Sequence, residues 1–100
     1  MKKSDFEKKY MEKSWKKSKS KSYRTFDVDK SVKEFYNFLK SKKVKGNLLD
    51  LGCGNGRNAV FFEKKGFNAL GIDFAPSAIK VCKKYAKSKN SRANFVSGDI

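Results

Sequence analysis

Histidine is absent from this 100-residue chain, and cysteine occurs only as Cys53 and Cys82, in unrelated contexts without CxxC or Cys/His spacing. A zinc site and a histidine general base are thereby excluded by inventory. Long apolar runs are missing as well. No window reaches the roughly 18 to 20 consecutive apolar residues of a membrane span, and the charged N-terminus leads into no apolar signal-peptide core. A soluble cytoplasmic chain without a membrane partner is expected. Acids are scarce, 10 against 25 basic residues, which leaves a net charge of +15.

Two thirds of that net charge falls in residues 1–46, where 16 basic residues meet 6 acidic ones. The stretch MEKSWKKSKSKSYRTF sets Lys13, Lys16, Lys17, Lys19, Lys21 and Arg24 against Glu12 alone. Such a run is a footprint for an anionic partner, so a basic nucleic-acid-binding module is one reading. Against it stands the dominance of lysine over arginine, whose planar fork is the better phosphate reader. A compositional bias produces the same pattern without any ligand.

Periodicity divides the chain near residue 46. Ser4 and Glu7 fit a capping box, and Phe6, Tyr10, Met11 and Trp15 lie near one face of a helix reaching about Lys17. Residues 18–26, rich in lysine and serine, read as a solvated linker. Ser31 and Glu34 form a second capping box ahead of Val32, Phe35, Tyr36 and Leu39, spaced as one helical face. From Asn47 onward, short apolar runs alternate with helices. Leu48–Leu51 reads as a strand covered on both faces. A helix follows over residues 57–65, closed by Gly66, and residues 68–72 form a second strand. Pro76 opens a further helix with Ile79, Cys82, Tyr85 and Ala86 on one face, and Ala93–Val96 is a third strand. Strand, helix, strand, helix, strand at this spacing predicts the first half of a doubly wound α/β fold, with a parallel sheet in the order 3-2-1.

The stretch LLDLGCGNGRNAV places Gly52, Gly54 and Gly56 between the first strand and its helix. A turn this poor in side chains lets main-chain amides and a helix N-terminus approach a ligand closely. Asp73 ends the second strand about 20 residues later, where a carboxylate accepts hydrogen bonds from ribose hydroxyls. Asp99 ends the third strand and points into the same crevice, where it accepts from an adenine amino group. Phe74 is placed to lie against an adenine face. Aspartates also terminate strands for purely local reasons, and Phe74 fits an ordinary core position equally well. Gly54, Gly56 and Ala59 satisfy G-x-G-x-x-A, so an NAD(P)- or FAD-binding domain competes on spacing alone.

Taken together, LLDLGCGNG, GIDFAPSAI and SGDI resemble the three successive motifs of the class I (Rossmann-like) S-adenosylmethionine-dependent methyltransferases, over about residues 47–100. Composition and periodicity mark a basic helical extension over 1–46, and the resemblance implies a partial Rossmann-like S-adenosylmethionine-binding domain over 47–100. It implies that the Gly52, Cys53, Gly54 and Gly56 turn faces the amino-acid end of the cofactor and that Asp50 supports the loop. Asp73 would hold the ribose, and Asp99 with the Ile100 backbone would read adenine. One departure is Ala75, where the family commonly places a capping serine or threonine, worth about 1 kcal/mol. The motif and strands that follow the third motif in the family do not occur here, so the 100 residues resemble the N-terminal part of a longer enzyme. Activity is expected to need the missing C-terminal half or a complementing chain. No residue is assigned as catalytic base, and the methyl acceptor stays open among small molecule, protein and RNA. The basic N-terminal region either guides an anionic acceptor or covers the cofactor with Trp15 or Tyr23.

Overall fold

The computed structural model describes residues 26–99. The helix expected to reach Lys17, most of the linker, and Ile100 lie outside the described residues. Within them the order is α1 (Lys30–Ser41), β1 (Asn47–Leu51), α2 (Arg57–Lys64), β2 (Asn68–Asp73), α3 (Pro76–Ser88) and β3 (Asn94–Ser97). No helix among the described residues is long and apolar enough to cross a membrane.

The strands form one parallel sheet in the order β1-β2-β3, with β1 at an edge as expected. Register places Leu48 beside Ala69, Asp50 beside Gly71, and Gly71 beside Phe95. Strand side chains alternate between faces, so these residues share the face that α2 and α3 cover. The core lies there, built from Cys53, Ala59, Val60, Ala69, Ile79, Cys82, Ala86 and Phe95. Burying Phe95 alone contributes about 1.5–3 kcal/mol.

On the opposite face stand Leu49, Leu51, Leu70, Ile72 and Val96. Leu49 and Leu51 are each 57% exposed and Val96 is 47% exposed. The expectation that β1 is covered on both faces is therefore corrected for the described residues: among them helices cover one face, because α2 and α3 both pack on the same side.

α1 departs from its expected start. It begins one residue before Ser31, with Asp29 at the N-cap and no side-chain capping bond. Glu34 instead pairs with Lys30 at 3.7 Å across one turn. No residue of α1 is buried. Rings hold the helix in place: Phe35 meets Phe62 edge-on with centroids 6.2 Å apart, and Tyr36 lies 5.7 Å from Phe61. Such aromatic pairs are worth about 0.5–1.5 kcal/mol each beyond their burial.

Candidate cofactor site

The site forms where the three strands end. After Leu51 the chain turns sharply, with Gly52, Gly54 and Gly56 at φ 71°, 60° and 83°. Gly56 shows why a side chain is excluded. Besides its left-handed φ, a Cβ there would sit 3.0 Å from the Phe95 ring and 3.1 Å from Cys82 Cβ. The N–H groups of Gly52 and Cys53 both donate to the Ile72 carbonyl, at 2.7 and 3.1 Å, which lashes the turn to the end of β2.

Asp73 joins the loops. Its Oδ2 accepts from the Gly54 N–H at 3.1 Å, its Oδ1 accepts from the Ala75 N–H at 3.0 Å, and its main-chain carbonyl accepts from the Gly98 N–H at 3.0 Å. One residue thus ties the glycine turn, the entry to α3 and the exit of β3. The bond to Ala75 N–H closes a local turn just ahead of α3, and the helix starts with no side-chain cap at Ala75.

Asp50 lies one layer below, on the covered face of β1. Burial pushes its pKa above the ordinary 3.8, Arg57 pulls it down, and the Asp73 charge adds to the rise. Its Oδ2 is buried without a hydrogen-bond partner, and so is Asn58 Oδ1. Both residues line a hollow of about 240 Å³ between α1 and β1, together with Ser31, Phe35, Leu48 and Phe62. Arg57 Nε is buried without a partner as well, and its charge already acts on Asp50; the two orphaned acceptors leave room for a further donor, since a buried unpaired polar group costs about 1–3 kcal/mol.

The remaining expected residues fall as follows. Phe74 is half-buried beside Asp73, and Asp99 is exposed just past β3. Cys53 turns its side chain into the core, with Sγ 3.8 Å from Cys82 Sγ. Ile100 lies outside the described residues. Three residues escaped the sequence reading. Asn55, 1% exposed, accepts the Arg57 N–H on Oδ1 at 3.1 Å and so starts α2; the N-G pair was visible but reads as a turn rather than as a helix start. Gly71 is needed because a Cβ there would fall 2.7 Å from the Phe95 ring and 2.9 Å from Cys53 Cβ. Cys82 donates its thiol to the Gly54 carbonyl at 3.0 Å.

A parallel α/β sheet with a left-handed glycine turn after its first strand and an acid closing its second defines a Rossmann-like segment. Comparison with known proteins agrees. The "Methyltransferase domain" family profile matches residues 48–100, and the chain belongs to that family. It is 38% identical over 68 residues to a 2-heptyl-1-hydroxyquinolin-4(1H)-one methyltransferase of Mycobacteroides abscessus, a match covering 67% of this chain and 30% of that protein. It is also 38% identical over 53 residues to a ubiquinone biosynthesis O-methyltransferase of Rickettsia akari, covering 53% of this chain and 21% of the relative. Among solved structures, the PH0226 protein of Pyrococcus horikoshii OT3 superposes with a TM-score of 0.62 at 29% identity, covering 78% of this chain and 39% of that one. The chain spans less than a third of the length of those two curated relatives.

Proposed function

We propose that this chain is the cofactor-binding part of an S-adenosylmethionine-dependent methyltransferase. The observation that carries the reading is the pair of orphaned acceptors, Asp50 Oδ2 and Asn58 Oδ1, below a glycine turn gripped by Asp73. An adenosyl amino acid presents an ammonium group at one end and ribose hydroxyls at the other, and these residues complement both. Asp50 and Asn58 would receive the ammonium end. Asp73, each of whose carboxylate oxygens keeps acceptor capacity beyond its amide, would take the ribose, with Phe74, Asp99 and Ile100 toward the adenine. The cofactor supplies an activated methyl group. The chain's own contribution is to bind and orient it so that an acceptor can approach in line.

The bare edge of β1 and the apolar face bearing Leu49, Leu51 and Val96 support a further segment of the domain, or a complementing chain, as the neighbour that completes the pocket. The basic N-terminal region supports an anionic acceptor or partner. Two free thiols only 3.8 Å apart suit a reducing, cytoplasmic location.

Calorimetric titration with S-adenosylhomocysteine and, separately, with NAD tests the cofactor. Heat is expected with the former alone, and heat with NAD alone would overturn the reading.

A further inference from the structure

Two hollows flank Lys65. One, of about 320 Å³, lies between α2, α3 and the chain ahead of α1, where Lys33, Arg57, Lys64, Lys65 and Lys89 line it together with Phe61 and Tyr85. The other, of about 220 Å³, is lined by Lys40, Lys43, Lys45 and Lys65 with Tyr36 and Phe67. Lys65 belongs to both, so the two form one track. Five cations in the first hollow and three more in the second border it, and Asp27 is the acid among these lining residues. Aromatic rings interleave with the charges. Lys65 Nζ stands 5.3 Å from the Tyr36 ring centre and 5.4 Å from that of Phe61, and Phe26, at the rim of the first hollow, stacks on Tyr85 with centroids 3.9 Å apart. Helix dipoles account for part of this charge, since cations are favoured at helix C-termini. Lys40 and Lys64 lie in last turns, and Lys65 and Lys89 cap α2 and α3. The other four are not explained that way: Arg57 opens α2 and Lys33 lies in the first turn of α1, where the dipole disfavours a cation, while Lys43 and Lys45 stand on the loop after α1.

We propose that this track binds single-stranded nucleic acid, its cations meeting successive phosphates while its aromatic rings offer faces to bases. A cleft lined by charge of one sign concentrates the opposite ion, and a chain of phosphates spans two joined hollows as a single small anion cannot. Lysine suits the task, because a flexible point charge follows a backbone without reading sequence. The basic run that ends at Arg24 enters at the same place, since Phe26 follows it by two residues and lines the first hollow. The proposal rests on the reading of an anionic partner given above and on no part of the cofactor reading.

Fluorescence anisotropy of a labelled oligouridylate of about 12 nucleotides, titrated with the full chain, tests this. S-adenosylhomocysteine is left out, so failure here and failure of the cofactor titration are separate results. Lys40→Gln, Lys64→Gln and Lys89→Gln combined are expected to weaken binding by about tenfold or more at low salt. They should also flatten the slope of log affinity against log salt by about 2, the share of three phosphate contacts to a single strand. Lys80→Gln, Lys83→Gln and Lys87→Gln combined remove the same charge from the face of α3 opposite Tyr85 and leave the N-terminal run intact. That variant is expected to stay within about threefold of wild type. Equal losses in the two triple variants would show that net charge alone binds, and would overturn the proposal. So would a wild type that ignores the oligomer, that binds inorganic polyphosphate of equal charge as tightly, or that prefers anionic phospholipid vesicles. Should the first triple variant fail to fold, crosslinking of wild type to the same oligomer carrying 4-thiouridine decides. Adducts on Tyr36, Phe61 or Tyr85 support the track, and adducts confined to residues 1–25 overturn it.

Discussion

Gly71 is the position where the core leaves least room. Its missing side chain admits the Phe95 ring and Cys53 at distances a Cβ would violate. Gly71→Ala is expected to cost about 1–3 kcal/mol through overpacking, read as a lowered urea midpoint with an unchanged slope. Asp50 behaves differently, because its strain is electrostatic. Burial holds its folded-state pKa above the ordinary 3.8, so the folded chain binds that proton more tightly than the unfolded one. The associated stability is present below the ordinary value and is lost as pH rises through the raised one. Asp50→Asn removes this loss. Its Tm should exceed that of wild type at pH 7, and the gap should close toward pH 3. A gap independent of pH would sink the account. On the proposed reading, the same variant should bind S-adenosylhomocysteine more weakly, since it gives up the charge proposed to face the ammonium.

At the scale of elements, α1 is the weakest attachment. It buries no residue and leans on Phe61 and Phe62 through two rings. Tyr36→Ala is expected to free α1, raising its amide exchange by an order of magnitude or more while β1 and β2 stay protected. Loss of protection throughout the sheet would show instead that α1 is integral to the core. Element boundaries were largely legible in the sequence. Pro76 opens α3 and Gly66, at φ 101°, closes the turn after α2, because proline and glycine act through their own backbone. The glycine turn and the acid ending β2 were legible for a similar reason, as local spacing puts them there, whereas Asp99, read as ending the third strand, lies two residues beyond β3. Gly71 and Cys82 were not, since their roles depend on Phe95 and Gly54, which only folding brings near. Nor did apolar periodicity reveal the open face of β1. Leu48, Leu49 and Leu51 are alike as letters, and which of them is covered depends on where two helices come to rest.

At the scale of the whole molecule, the decisive asymmetry among the described residues lies between a sheet face packed under helices and one left apolar and bare, alongside an unpaired edge strand. Such a surface favours association. The 100-residue chain should bind a hydrophobic dye and sediment as concentration-dependent oligomers. Leu49→Lys with Val96→Lys should reduce both while leaving the helical signal intact. A monomeric, dye-silent wild type would contradict this.

The joint at Asp73 carries one more consequence. Its carboxylate already serves Gly54 and Ala75, so if it takes the ribose as proposed, an arriving sugar would share an acceptor whose charge is committed to holding the loops. Neutral hydroxyls can join such an arrangement. A phosphate esterified at the 2′ position would bring a second anion against it, at a separation where like charges repel by about 1 to 4 kcal/mol. The fastening that shapes the crevice would therefore also act as a filter, turning away 2′-phosphorylated dinucleotides before any other contact is made.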